Sequence, residues 1–253
     1  MNYLLLRGLG RESAHWYEFA DALAARSGGR VERLDVAGCG TERRRTPRPS
    51  VLWLARDVAR RWESRAPESV PGGWAVIGLS FGGMIALELC RFSGRFERAV
   101  IINASSRLTP AAARLSPGGL CTLLGALSSS DVLARERRVL ALTSALPADA
   151  QHGYAERAAA IARSRPLSRV AVLAQLLGAA RFAPPAPSAI GTRMSFVCSR
   201  RDQLVSPRCS HDLSAFYAGS AIEHPWAGHD LPLDDPNWLC ERVVAWEREA
   251  PTP

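Results

Sequence analysis

The run Trp74-Ala75-Val76-Ile77-Gly78-Leu79-Ser80-Phe81-Gly82-Gly83 decides the fold of this chain. It reads as a short apolar strand, then Gly-x-Ser-x-Gly, then a helix-forming stretch, Met84-Ile85-Ala86-Leu87-Glu88-Leu89. A serine between a strand and a helix sits on a sharp turn that lifts its hydroxyl above the sheet edge. Side chains at 78 and 82 would collide with the neighbouring strand and helix, so glycine stands at both. The N-terminus of the following helix points at the same spot, where it stabilises developing negative charge. The plainer reading is a glycine-rich turn without chemistry; the flanking strand and helix weigh against it.

Strand-like and helix-like stretches alternate from residue 1 to about 106, which predicts a largely parallel sheet. Helices are predicted over Trp16 to Ala25 and Val51 to Arg65, the second with Ser50 as its N-cap. From about 107 to 188 no strand pattern appears. Four helical stretches stand there instead: Gly119 to Leu127, Asp131 to Ala145, Asp149 to Arg163 and Leu167 to Phe182. The segment Ala183-Pro184-Pro185-Ala186-Pro187 closes them as a stiff linker. Strand and helix then alternate again, ending in a helix from Trp238 to Glu249.

A nucleophilic serine needs a base, and the base needs an orienting acid. The histidines are His15, His152, His211, His224 and His229. His229 lies in Trp226-Ala227-Gly228-His229-Asp230, behind the strand-like run Ala221-Ile222-Glu223-His224. The preceding strand, Met194-Ser195-Phe196-Val197-Cys198, runs into a loop that carries Asp202. At the N-terminus, Tyr3-Leu4-Leu5-Leu6 leads into Arg7-Gly8-Leu9-Gly10, and Val31-Glu32-Arg33-Leu34 leads into Asp35-Val36-Ala37-Gly38-Cys39-Gly40.

Together these stretches resemble the α/β-hydrolase superfamily over nearly the whole chain. The resemblance implies an α/β fold with a mostly parallel central sheet flanked by helices. Residues 1–106 and 189–253 would form the core domain. Residues 107–188 would be an all-helical cap, or lid, inserted between strands six and seven of the family. It also implies a catalytic triad in the chain order Ser80, Asp202, His229. The backbone N–H groups of Leu9 and Phe81 would form the oxyanion hole. Two departures stand out: Arg7 replaces the usual loop histidine, and Ala37 replaces the usual proline of the Asp-x-Pro-Gly-x-Gly loop.

Each candidate has a plainer reading. Asp202 beside Arg200 and Arg201 could be a surface ion pair. The alternative acid position, in Asn103-Ala104-Ser105-Ser106, holds no carboxylate, which favours Asp202. Arg7 either contacts an anion near the pocket or holds its loop by bonding nearby carbonyls, and the second is preferred. His15 and Trp16 either line the pocket mouth or pack and cap the first helix. Arg135 and Arg138, one helical turn apart, either face solvent or contact a substrate or partner. No histidine has metal-ligand spacing with a second His, Cys or carboxylate, so neither metal nor cofactor is expected.

The chain of 253 residues is 47% apolar, enough for one large domain. It has no apolar run long enough to span a membrane and no signal-peptide pattern. Six cysteines without paired spacing read as reduced thiols, which points to a cytoplasmic protein. Every basic residue apart from histidine is arginine, and the net charge is +8. That charge favours acidic partners or substrates, but no nucleic-acid motif accompanies it.

The expected activity is hydrolysis of a carboxylic ester, from a small apolar ester substrate held between cap and Ser80. The layout is similar to carrier-protein methyl esterases of biotin synthesis, which would add an acidic acyl carrier protein as partner. Thioesterases and C–C bond hydrolases share the triad. A ligand-binding receptor or scaffold on the same fold is the alternative from another class, and turnover separates it from an enzyme.

Overall fold

Leu4, Leu5 and Leu6 are all fully buried, as a strand covered on both faces requires. They belong to β1 (Asn2–Leu6) in a computed structural model that describes residues 1–65 and 70–248. The other strands are β2 (Val31–Arg33), β3 (Trp74–Leu79), β4 (Phe96–Ile102), β5 (Arg193–Ser199) and β6 (Ala221–His224). They form one sheet in the order β2-β1-β3-β4-β5-β6, with every pairing parallel. Parallel neighbours need crossovers, and helices supply them.

Two apolar layers cover the sheet. On one side α2 (Val51–Glu63) and α3 (Phe81–Phe92) pack Leu54, Val58, Trp62, Ile85 and Leu89 against Leu4, Leu6 and Val76. On the other, α1 (Tyr17–Ser27) and α11 (Pro236–Arg248) pack Phe19, Leu23, Leu239 and Val243 against Tyr3, Leu5 and Ile77. Alternate residues of β1 and β3 therefore serve opposite cores, the period of two that a strand imposes.

Five helices lie between β4 and β5: α4 (Ala111–Arg114), α5 (Pro117–Ser128), α6 (Val132–Thr143), α7 (Ala148–Ser164) and α8 (Arg169–Arg181). Ser116 caps α5 by accepting the Gly119 N–H, and Asp131 caps α6 by accepting those of Leu133 and Ala134. The four helical stretches expected there are present within about two residues of their bounds, as element ends usually are. The short α4 lacks enough length for a period and was not anticipated. The alternation expected after residue 189 places a helix between the last two strands, and it is α9 (Arg208–Phe216), which follows the Asp202 loop. The helix α10 (Leu231–Asp234) follows His229. The first helix starts later than expected, at Tyr17, because Ser13–Trp16 forms a 3₁₀ turn. Glu249, the expected end of the last helix, lies outside the described residues.

In the arginine run Arg43-Arg44-Arg45, Arg45 is bound to the Asp57 carboxylate of α2 and to Glu42. All six cysteines are unpaired, and only Cys121 is exposed. Among the described residues no helix is long and apolar enough to cross a membrane.

The approach of α3 to the sheet explains its glycines. A Cβ on Gly82 would stand 2.1 Å from the Leu6 carbonyl oxygen, and one on Gly78 would stand 2.4 Å from that of Gly82. Gly82→Ala should therefore destabilise the fold by about 3 kcal/mol, the upper range for overpacking. Gly125→Ala in α5, where an added Cβ meets nothing within 4 Å, should be neutral or stabilising by up to about 1 kcal/mol. Chemical denaturation of both variants checks the pair.

Candidate active site

Because β3 ends at Leu79 and α3 begins at Phe81, Ser80 alone must turn the chain. It does so at φ 57° and ψ −116°, a conformation that costs a non-glycine residue about 1–3 kcal/mol. Its N–H donates to the Ile102 carbonyl at 2.7 Å. Its own carbonyl accepts from Gly83 at 2.9 Å and Met84 at 3.2 Å. Phe81 opens α3, so its N–H has no carbonyl one turn behind it. The Gly8-Leu9 loop after β1 lies against this turn: a Cβ on Gly8 would be 3.5 Å from the Ser80 Cβ. Ser80, Leu9, Phe81 and His229 line one cavity of about 120 Å³.

His229 sits in the loop between β6 and α10. Its Nδ1 lies 2.6 Å from Asp202 Oδ2, with both side chains at least nine-tenths buried. The other carboxylate oxygen of Asp202 accepts the N–H groups of Leu204 and Val205 at 2.8 and 2.9 Å. Both oxygens are thus fixed, and Nδ1–H donation leaves Nε2 as the basic nitrogen of the ring. Arg200 turns away to Glu223 at 2.7 Å, so Asp202 is the histidine's partner and not half of a surface arginine pair.

Arg7 corrects its expected contacts. It bonds a carboxylate, not carbonyls: Nη1 and Nη2 donate to Asp230 Oδ1 and Oδ2 at 3.0 and 2.6 Å. The guanidinium lies 5.0 Å from the centre of the Trp16 ring. The pair is buried, and it ties the loop that carries Leu9 to the residue after His229. Trp16 is fully buried beneath it and does not line the Ser80 cavity.

His15 packs and caps. Its Nδ1 accepts the Glu12 N–H at 3.2 Å, and its Nε2 lies 3.3 Å from Arg11 Nη1. Burial, and then the charges of Arg11 and Arg7, hold its pKa well below the ordinary 6.5. Arg135 is half-buried with its Nε on Glu136 at 3.1 Å, whereas Arg138 is exposed, 3.5 Å from the Gly125 carbonyl. The shared helix face therefore splits into two environments.

Three residues tie the loops of the site together without that role being legible in the chain: Asn103, Gln175, and Asp234, which beside Asp235 reads only as cap or loop polarity. Asn103, at φ 47°, donates from Nδ2 to the His229 carbonyl at 2.8 Å and to Ser199 Oγ at 3.0 Å, and accepts the Ser199 N–H at 2.9 Å. Asp234 accepts from Gly228 N–H at 2.7 Å, Ala145 N–H at 2.9 Å and Ser144 Oγ at 2.5 Å. Burial raises its pKa against the pull of those donors. Gln175 of α8, fully buried, accepts the Gly10 N–H at 2.9 Å. Away from the cavity, Cys198, His211 and Glu223 place ligand atoms within 4.8 Å of one another. They come from β5, α9 and β6, which is why chain spacing gave no sign of the cluster.

The family model described as Alpha/beta hydrolase family matches residues 3–242. The chain belongs to that family. No curated protein matches the sequence. Solved structures similar to this hydrolase include the esterase RhEst1 from Rhodococcus sp. ECU1013, at TM-score 0.76 and 18% identity, covering 97% of this chain and 90% of that one. The enol-lactonase from Burkholderia xenovorans LB400 gives TM-score 0.71 and 21% identity, covering 98% and 91%. The meta-cleavage product hydrolase from Pseudomonas fluorescens IP01 gives 0.74 and 16%, covering 98% and 90%. At such identities the likeness concerns the fold.

Two outcomes follow from these contacts. A buried base with a depressed pKa stays neutral in the folded protein while the unfolded chain takes up a proton, so its stabilisation is complete above pH 6.5 and is lost as pH falls below it. The thermal unfolding midpoint should accordingly fall from about pH 7 to about pH 5, and His15→Gln should flatten that slope. Asn103→Ala leaves the Ser199 N–H without its acceptor and should cost about 1–3 kcal/mol in denaturant unfolding.

Proposed function

We propose that this hydrolase cleaves a carboxylic ester through an acyl-enzyme intermediate. The observation that carries the reading is a serine at positive φ sharing one cavity with His229, whose Nδ1 is 2.6 Å from a fully engaged Asp202. Ser80 attacks the ester carbonyl as His229 Nε2 takes its proton. The proton passes to the leaving alcohol. Asp202 holds the tautomer and stabilises the imidazolium. The Leu9 and Phe81 N–H groups receive the oxyanion, in a site where one such donor is worth about 2.7–4 kcal/mol. Water then repeats the cycle on the acyl-enzyme.

The helices of residues 107–188 act in this reading as a lid over a core made of residues 1–106 and 189–253. Leu115, Leu123, Val139 and Leu176 from that insertion face Leu9 and Met84 from the core across the cavity. Such a wall suits an acyl chain. Leu120, Leu124, Val170, Leu173 and Leu177 take no part, since they are exposed.

Ser80→Ala should lower kcat on a p-nitrophenyl ester series by several orders of magnitude, and Asp202→Asn should lower it by somewhat less. Turnover that survives Ser80→Ala unchanged would overturn the reading.

A further inference from the structure

The cavity over Ser80 does not end at its apolar walls. Leu9, Leu123, Val139 and Leu176 also line a second cavity. That cavity shares Gly10, Arg135, Glu136 and Leu167 with a third. Arg11 borders all three. The three adjoin through these shared walls and follow one another from the serine, between the Leu9-Gly10-Arg11 loop and the insertion helices, to a polar mouth.

The chemistry changes along this cleft. Its inner stretch is apolar. Its mouth carries Arg11, Arg135, Arg165 and Arg169 against Glu12 and Glu136. Both carboxylates are already taken. Glu136 accepts Arg11 Nη1 at 2.6 Å and Arg135 Nε at 3.1 Å. Glu12 accepts Arg165 Nε at 2.7 and 3.0 Å. Burial would raise Glu136, but the charges and hydrogen bonds of Arg11 and Arg135 outweigh it and hold the carboxyl ionised, below its usual range. His15, also at the mouth, is held neutral. The mouth therefore keeps an excess of positive charge. Among the described residues Arg169 has no partner, and Arg135 spends only its Nε, leaving its Nη edge for another acceptor.

We propose that the mouth is a subsite for an anionic group, so that the ester cleaved at Ser80 carries a carboxylate or phosphate at the far end of its acyl chain. The inference rests on the hydrolase reading above and adds the polarity of the substrate's remote end. An apolar chain fills the inner cleft, and the guanidinium edges of Arg135 and Arg169 hold the terminal anion. Guanidinium recognises either anion through paired N–H donors.

The test compares kcat/KM for p-nitrophenyl esters of monocarboxylic acids with that for mono-p-nitrophenyl esters of dicarboxylic acids of matched length. The proteins are wild type, Ser80→Ala, Arg169→Glu and Arg135→Gln/Arg169→Glu. We expect the half-esters to be preferred about tenfold at one chain length, the scale of one charge-assisted hydrogen bond. The preference should shrink with added salt and be lost in the arginine variants. Arg169 is exposed, so its single variant keeps the test open if the double one fails to fold. Alkyl phosphate and alkyl carboxylate of matched length, as competitors of the neutral esters, separate the two anions: inhibition that weakens in Arg169→Glu supports the subsite, and the tighter inhibitor names the group. Equal Ser80-dependent turnover of neutral and anionic esters at every length would overturn the subsite and leave the hydrolase standing. No Ser80-dependent turnover of either series would overturn both.

Discussion

The close contact of α3 with the sheet is the constraint on which the rest depends. The helix can begin one residue after β3 only because nothing but hydrogen projects from Gly78 and Gly82. Ser80 is forced to positive φ by the same contact, and the packing of α3 on β1, β3 and β4 outweighs that local strain. Everything else in the site is an arrangement of loops around a hydroxyl whose place is set by backbone geometry.

Those loops are held by charge as much as by apolar packing. The Arg7–Asp230 pair joins the loop after β1 to the loop after β6. Removing one partner of such a buried pair costs about 3–5 kcal/mol, because the other charge is left without compensation. Where the family usually has a histidine, this chain has a cation, and it also has the carboxylate that neutralises it. The substitution becomes intelligible only with both residues in view. A guanidinium in that loop then serves as a fastener between two segments of the site.

What could be read from the sequence was what is local or ordered along the chain. The strand, the glycine pattern and the helix around Ser80 lie within sixteen residues and have a period and a steric reason. Asp202 and His229 follow at the ends of successive strands, so their order alone suggested them. Asn103, Asp234 and Gln175 were invisible for the opposite reason. Each bonds residues far away in the chain, and nothing in its neighbourhood distinguishes it from an ordinary loop or helix amide or acid. Asn103 was noticed only for lacking a carboxylate, whereas its amide ties β4, β5 and the histidine loop together. Trp16 lay near the expected place but on the buried side of it, a distinction that helix periodicity across a 3₁₀ turn could not make.

The turn between α6 and α7 has a consequence for exchanging parts between relatives. The Thr143 carbonyl takes the Asp230 N–H at 2.7 Å, while Ser144 and Ala145 share the Asp234 carboxylate with Gly228. The insertion is thereby spliced to the segment that presents the imidazole. A chimera that grafted another relative's helices onto this scaffold would keep the two backbone contacts only where its turn followed the same path, and would lose the Ser144 hydroxyl wherever that residue differed, so the recipient histidine loop would be less firmly held even with every core residue retained. Swaps that keep residues 143–145 together with 228–234 as one transferable unit would preserve them.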